Sequence, residues 1–150
     1  MDLRRGFLSG AAPTLLAGAL ALAGCGGAKR ATPDACIRAF DAAMRGGDTG
    51  KAAALFAYDQ WSADNSTDWD TYARGQREAI CGKLREAKAA QLQAWRAAYL
   101  QASYQPALAS IAGEWAQLAL SGPRGSIPVR LRQSEGEWLI YSIGALQAGQ

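Results

Sequence analysis

The residue types best suited to ligand chemistry gather in a short segment between positions 58 and 72. In this segment Trp61 and Trp69 flank Asp64 and Asp68. Aromatic rings with a few polar groups are the usual lining of a ligand site. One interpretation is therefore a carbohydrate or peptidoglycan site, in which the tryptophans stack and the aspartates accept hydrogen bonds. The other is a loop before a capped helix start, with the aromatic rings packed on the core and the acids solvated.

Two further uses of these acids fit the spacing poorly. Residues 64–70 resemble the start of a calcium-binding loop, but Trp69 stands where such a loop needs glycine, and Gly75 where it needs glutamate. Paired carboxylates for glycoside hydrolysis could be drawn from several acids, and nothing in their spacing selects two of them. We therefore assign no metal site and no catalytic residue.

The overall composition excludes several classes of function. The chain has no histidine, which removes the commonest general base and metal ligand and makes Ser-His-Asp or Cys-His catalysis impossible within it. Its net charge is only +3 and its basic residues are scattered, so we expect no nucleic-acid partner. Nothing after the first 25 residues resembles a cofactor site, so we expect no cofactor. Arg124, Arg130 and Arg132 form either a solvated strand face or a contact for an anionic ligand or lipid headgroup.

The first 24 residues have the pattern of an export signal. Arg4 and Arg5 precede an apolar run over 7–23 that is too short and too weakly hydrophobic for a comfortable membrane span. The run ends in Leu-Ala-Gly-Cys, which matches the bacterial lipobox. Small residues admit the signal peptidase, and the Cys25 thiol accepts a diacylglyceryl group. The alternative is a plain signal peptide with an incidental cysteine.

Two export routes are compatible with this signal. Arg4, Arg5, Phe7 and Leu8 resemble the twin-arginine motif, while the residues at positions 3 and 9 depart from it, so the general secretory route stays open. Position 26 is not the aspartate that signals inner-membrane retention, which favours the outer membrane of a two-membrane bacterium, facing the periplasm. We divide the chain into a signal peptide (1–24), a lipidated flexible tether (25–33) and a single domain (34–150).

Once Cys25 carries lipid, Cys36 and Cys81 remain. Both fall on apolar faces of predicted helices, and exported domains commonly pair their cysteines. A disulfide between them would close a loop of about 45 residues and stabilise the domain by about 4 kcal/mol. We predict this disulfide, with two buried free thiols as the alternative.

Hydrophobic periodicity predicts helices in the first part of the domain. Apolar residues recur at helical spacing over 34–45, two glycines end that helix, and Asp48 caps a second helix over 51–57. Residues 59–66 are predicted to form a loop. From Asp68 onward, apolar steps of three and four indicate one long helix, or two end to end.

After Pro106 the period changes to two. Strands are predicted over 107–112, 114–120, 127–132 and 138–143, the last apolar on both faces and therefore central. Helices followed by an antiparallel meander predict an α+β domain, with N-terminal helices on a C-terminal sheet of about four strands. Five further large aromatic residues are expected in the core: Trp95, Tyr99, Tyr104, Trp115 and Trp138.

Two segments resemble the ends of cystatin-like, nuclear-transport-factor-2-like domains. FDAAMRGGDTGKAAALF at 40–56 is similar to their opening pair of helices, and GSIPVRLRQSEGEWLIYSI at 125–143 is similar to their closing hairpin. The resemblance covers both ends of the domain, while the long helical middle departs from it. It implies a curved sheet and helices that often enclose a cone-shaped pocket, in a fold that hosts enzymes, ligand binders and scaffolds.

These features predict a lipid-anchored cell-envelope protein that binds a partner protein or ligand without catalysis. One alternative is a small-ligand pocket protein of the same fold, or a minor enzyme that uses Asp or Tyr. Another is a structural accessory of envelope assembly without a pocket. An open cone lined by Trp and Tyr would favour the pocket protein, whereas a filled sheet face with an exposed apolar patch would favour the others.

Overall fold

The computed structural model of the protein describes residues 30–107 and 109–150. The export and lipidation predictions for Arg4, Arg5, Phe7, Leu8 and Cys25 lie outside the described residues. Within the described part, no helix combines the length and the apolar character needed to traverse a bilayer.

The first half of the described chain is helical. The helices are α1 (Pro33–Gly46), α2 (Thr49–Ala53), α3 (Tyr58–Asn65) and α4 (Arg74–Ala102), with a 3-10 turn at Trp69–Thr71. α1 begins where the Thr32 hydroxyl accepts a hydrogen bond from the Ala35 amide at 3.1 Å. It ends at Gly47, whose φ of 77° favours a residue without a Cβ. The first predicted helix is thus confirmed, one residue longer at each end.

The loop predicted at 59–66 is wrong, because this segment forms α3. Its polar composition gives no helical stripe, and hydrogen bonds to residues outside α3 hold it. The Tyr58 hydroxyl donates to the Ala53 carbonyl at 2.6 Å, and the Trp61 indole donates to Gln147 Oε1 at 3.1 Å. A Cβ at Gly149 would overlap the Trp61 ring, so the end of the chain packs directly on α3. Tertiary packing therefore overrides a weak local propensity.

The long helix predicted from Asp68 begins later, at Arg74. The 3-10 turn ends at Thr71, and the next residue, Tyr72, has an extended ψ of 136° that breaks the helical path. A new start follows, where the Ala73 amide donates to Gln76 Oε1 at 3.0 Å. The apolar spacing correctly predicts α4 but does not reveal this interruption.

The second half of the chain forms a six-stranded antiparallel sheet. Its strands are β1 (Gln105–Pro106), β2 (Ser110–Ala112), β3 (Trp115–Gly122), β4 (Gly125–Ser134), β5 (Glu137–Ile143) and β6 (Leu146–Gln147). Their order is β1–β3–β4–β5–β6, and β2 also pairs with β3. The α+β class, with N-terminal helices on a C-terminal antiparallel sheet, is confirmed. The two-residue strands β1 and β6 add to the approximately four that were predicted.

β5 is an internal strand with neighbours along both edges, which agrees with the buried strand predicted for 138–143. β4 pairs along one of its edges, and β6 and the segment after α2 lie along the other. The Ile140 amide donates to the Leu55 carbonyl, and the Ala57 amide donates to the Ile140 carbonyl, each at 2.8 Å. This pairing explains why the second helix ends at Ala53 rather than at position 57.

Alternation along β3, β4 and β5 gives the sheet two different faces. The helix-packed face is lined by buried side chains that meet α1 and α4 in one core: Leu118, Leu120, Val129, Leu131, Ile140 and Ile143. The opposite face, here called the open face, carries polar and aromatic side chains of the same strands: Trp115, Gln117, Arg130, Arg132 and Tyr141.

One charged side chain lies inside the helical layer. Lys88 on α4 is fully buried, and its Nζ donates to Gln91 Oε1 at 2.8 Å and to the Gln147 carbonyl at 2.5 Å. It also donates to the main-chain oxygen of Gln150. Burial lowers the pKa of Lys88 to about 8. Lys88 therefore holds residues 147–150 against α4.

The start of the described chain is held beside β5. The Arg30 carbonyl accepts from the Trp138 amide at 2.9 Å, and the Arg30 guanidinium pairs with Glu137 at 3.3 Å. This pair of contacts attaches Arg30 to β5 two residues before the Thr32 cap of α1, so residues 30–33, which were assigned to the flexible tether, pack with the domain.

The predicted disulfide is not formed in the structure, where Cys36 and Cys81 are both free thiols. Cys36 is fully buried on α1, and this burial raises its pKa to about 12. Cys81 is half-buried on α4 and lines an open cleft of about 690 Å³ together with Asp59 and Arg85. The two thiols thus lie in different surroundings, one in the core and one in a cleft.

Candidate functional site

The four residues predicted to form a ligand site separate into three places. Trp61 and Trp69 line one cleft of about 260 Å³ between α3 and α4, together with Ile80 and Leu84. Trp69 is only 3% exposed, and its indole donates to Asp59 Oδ1 at 3.2 Å. Its ring is therefore packed rather than open for stacking, and of the two tryptophans only Trp61 keeps exposed surface.

Asp68 belongs to the turn before α4. Its carboxylate accepts from the Ser66 hydroxyl at 2.7 Å and from the Tyr72 hydroxyl at 3.3 Å. The bond from Ser66 is the main cause that holds the pKa of Asp68 below its usual value. These local bonds fit the interpretation of the segment as a helix start.

Asp64 belongs instead to the open face of the sheet. Its Oδ2 accepts from Arg132 Nη1 at 2.7 Å and from the Tyr141 hydroxyl at 2.9 Å. One turn earlier on α3, Gln60 donates to the Ser134 hydroxyl at 2.6 Å. α3 is therefore attached to β4 at two points, which places Asp64 at the border of the open face.

Beside Asp64 the open face carries a group of rings and guanidinium groups, here called the open-face cluster: Trp115, Arg130, Arg132 and Tyr141. The Trp115 and Tyr141 rings meet edge to face, with their centroids 4.9 Å apart. The guanidinium carbon of Arg130 lies 4.5 Å from the Trp115 centroid and 5.6 Å from that of Tyr141. The guanidinium carbon of Arg132 lies 5.0 Å from the Trp115 centroid. These distances are in the range of cation–π attraction.

A bulge in the sheet builds this cluster. The pairing of β4 with β5 shifts register between Arg130 and Leu131, and Tyr141 has no Cα partner across the described β4–β5 ladder. Such a bulge re-aims a side chain, and the Tyr141 ring lies against Trp115. Trp115 itself directly opposes Arg132 across the β3–β4 ladder, so both side chains emerge on the same face.

The two arginines of the cluster differ in electrostatic state. Arg132 is 24% exposed and forms ion pairs with Asp64 at 2.7 Å and with Glu114 at 3.9 Å. Arg130 is exposed, and among the described residues its guanidinium has neither an ion-pair partner nor a hydrogen-bond acceptor. The pKa of Tyr141 is raised, mainly by burial and then by its bond to Asp64, so the phenol remains a neutral donor.

The open-face cluster carries groups that suit the binding of an anionic or aromatic partner. A guanidinium held against a tryptophan ring offers donors suited to a carboxylate or phosphate, and the rings offer apolar surface. Asp64 is already engaged by Arg132 and Tyr141, so it is a poor general base. Across residues 30–107 and 109–150, no three or more His, Cys, Asp or Glu side chains converge as metal ligands would.

Trp115 was expected in the core, and the structure corrects this expectation. It is half-buried on the open face. The available signal was the alternation along β3, which places Trp115 out of phase with the buried Ala116 and Leu118. Tyr141 lies in a segment that is apolar on both faces, so alternation along β5 does not indicate that its side chain belongs to the open face. The other four aromatic residues lie in or against the core as expected: Trp95, Tyr99, Tyr104 and Trp138.

Comparisons with protein-family models, with curated proteins and with solved structures find no match for this chain. Its function must therefore be inferred from the chemistry of its own residues, because a fold class alone does not select a function. The open-face cluster is the most specific arrangement that the described residues offer.

Proposed function

We propose that this chain is a lipid-anchored protein of the bacterial cell envelope, which binds an envelope protein through the open face of its sheet and performs no catalysis. Lipid on Cys25 attaches it to the membrane, on the periplasmic side of the outer membrane in a two-membrane bacterium. The lipobox and the signal before it support this anchor. Export follows either the twin-arginine or the general secretory route.

The observation that carries the proposal is the contrast between a filled helix-packed face and an exposed open-face cluster. Beneath the helices, Phe40 packs on Tyr99 and on Phe56, with ring centroids 5.8 and 6.2 Å apart. The Tyr99 hydroxyl donates to Asp41 Oδ1 at 2.7 Å. Side chains therefore occupy the space in which the resembling family often encloses a pocket. The open face displays arginine and aromatic residues, which are enriched at protein interfaces.

We also propose that the domain is a variant of the cystatin-like, nuclear-transport-factor-2-like fold. The helix pair α1–α2 and the hairpin β4–β5 lie where the resemblance implies them. The 29-residue helix α4 departs from the family pattern. An experimental structure that superposes on a family member over α1 and β3–β5 would support the assignment, and a different strand order there would contradict it.

A small-ligand site is the second candidate, and the cleft between α3 and α4 favours it. The cleft is lined by Trp61, Ile80 and Leu84, with Asn65 and Ser66 as polar groups. At about 260 Å³ it is smaller than most ligand sites, so it suits a single ring. N-acetylglucosamine titrated into the protein should quench tryptophan fluorescence, and Trp61→Ala should remove this quenching. No change with the wild type would exclude a sugar site.

Cross-linking and affinity capture from native envelopes test the leading proposal. Full-length wild-type protein is expected to co-purify with a specific protein, and Trp115→Ala should lose it because the open-face cluster supplies the contact. Arg124 is exposed in the turn between β3 and β4, and not on the strand face predicted to include it with Arg130 and Arg132. Arg124→Gln is therefore the matched control and should capture as well as the wild type. Capture of a small molecule without any protein would overturn the proposal.

The lipid anchor has a separate test. Cys25→Ala should abolish incorporation of radiolabelled fatty acid and move the protein out of the membrane fraction. A Cys25→Ala variant that still incorporates the fatty acid would contradict lipidation at Cys25. Replacing Arg4 and Arg5 by lysine distinguishes the export routes, because only twin-arginine export should then stop.

A further inference from the structure

Arg130 and Arg132 lie two residues apart on one face of β4, yet only one of them has its charge balanced. Asp64 and Glu114 pair with Arg132. Around Arg130 the described neighbours are the two aromatic rings, Gln117, which opposes it across the β3–β4 ladder, and Ser142, which opposes it across the β4–β5 ladder. The N–H groups of an exposed guanidinium are then left to water, which a ligand can displace.

We propose that Arg130 is an anion-recognition residue, which binds a carboxylate presented by an acidic side chain of the partner protein. This inference rests on the proposed function and names what the partner must offer. The Trp115 and Tyr141 rings pack against the Arg130 guanidinium and restrict its rotamers before binding. Less side-chain entropy is therefore lost when the carboxylate binds.

The local charge selects a carboxylate over a phosphate group. A phosphate group carries close to two negative charges at neutral pH, whereas Arg130 supplies a single positive charge. The second guanidinium, on Arg132, is engaged by Asp64 and approached by Glu114. Those two carboxylates repel a dianion more strongly than a monoanion.

The side chains around Arg130 indicate which residues should flank the acidic side chain of the partner protein. Trp115 and Tyr141 are half-buried, so part of each ring is available to a partner. Gln117 is exposed and adds a neutral amide on the same face. An acidic residue between apolar neighbours would place its carboxylate on the guanidinium and its neighbours on the rings, in the way that arginine and aromatic residues anchor interfaces.

Direct titration tests this inference without the partner. The probe is the capped tripeptide acetyl-Leu-Glu-Leu-amide, added to the full-length protein at up to tens of millimolar. NMR follows the Trp115 indole signal, assigned with Trp115→Phe. Arg130→Gln should weaken binding about tenfold or more, because a charge-assisted hydrogen bond is lost. Arg130→Lys should weaken it less, since the charge remains without the planar fork. Arg124→Gln is the control and should bind within about twofold of the wild type.

Each contrary outcome has a definite meaning. Equal shifts with acetyl-Leu-Gln-Leu-amide, no shift at all, or unchanged binding by Arg130→Gln would overturn anion recognition. Tighter binding of inorganic phosphate would overturn the choice of carboxylate. In either case a protein captured from envelopes would leave the proposed function standing. Failure to capture any protein would overturn the proposed function, and the peptide titration would still report on Arg130.

Discussion

The two faces of the sheet are built from the same three strands and have opposite compositions. On the helix-packed face, Leu118, Val129 and Leu131 are at most 6% exposed. One residue away along those strands, the open face carries exposed Gln117 and Arg130. Period-two alternation therefore assigns stability and recognition to different residues of one strand. Changes on the helix-packed face should alter the free energy of unfolding, and changes on the open face should alter binding.

The largest expected effect comes from a cavity behind the helix-packed face. Leu131 is fully buried, so Leu131→Ala should lower the free energy of unfolding by about 3 kcal/mol. Gln117→Ala, on the open face, should change it by less than about 0.5 kcal/mol. Urea unfolding followed by circular dichroism measures both. Similar losses in the two variants would mean that the faces do not differ in stability.

The buried interior should also protect one thiol. Cys36 is fully buried, and its pKa is raised to about 12, whereas Cys81 lines an open cleft. A thiol reagent should therefore modify Cys81 more than about tenfold faster than Cys36 in the folded protein. Mass spectrometry of partly modified protein measures the ratio. Two unreactive cysteines, even after unfolding, would instead support the disulfide expected from the sequence.

Lys88 is a buried titratable residue, so it should make the free energy of unfolding depend on pH. Burial lowers its pKa from 10.5 to about 8, so between these values the unfolded chain binds more protons and stability rises with pH. Relative to Lys88→Met, the wild type should gain about 1 kcal/mol between pH 7 and pH 9. Above about pH 9 the buried Cys36 thiol acts in the opposite direction. Unfolding of both proteins at matched pH is the measurement, and a constant difference would contradict it.

The smallest effect on stability is expected at the ion pair of the open face. Asp64 and Arg132 are partly exposed, so Asp64→Asn should change the free energy of unfolding by less than about 1 kcal/mol. The same change releases the Arg132 guanidinium. It should therefore tighten binding of the glutamate tripeptide roughly two- to fivefold. Weaker binding by Asp64→Asn would show that Asp64 positions the site instead of competing for its charge.

The α+β class and the order of the elements could be predicted, because both depend on periodicity within single segments. α1 has a Thr-Pro start and a Gly-Gly end, and the apolar run of β5 indicates a central strand. Each of these signals is complete within a few residues. These signals depend only on residues that are adjacent in the sequence, so they can be recognised without a tertiary structure.

The open-face cluster could not be predicted as a unit, because distant segments build it. Asp64 reaches Arg132 and Tyr141, which are 68 and 77 positions away along the chain. The bulge that leaves Tyr141 outside the β4–β5 ladder depends on the register of two strands. α3, which positions Asp64, is itself held by contacts from the last residues of the chain. Asp64 and the two arginines were recognised separately, and only folding joins them.

The contacts of Arg30 beside β5 set a mechanical limit on the molecule. If Cys25 carries the lipid, five peptide units separate this fixed point from the anchor. A fully extended chain covers about 3.5 Å per residue, so the distance from Cys25 to Arg30 is at most about 18 Å. The domain is then confined to a thin layer next to the bilayer and does not diffuse through the whole periplasm. Confinement of this kind raises the effective concentration of any partner within that layer, so even a weak carboxylate contact can be sufficient there.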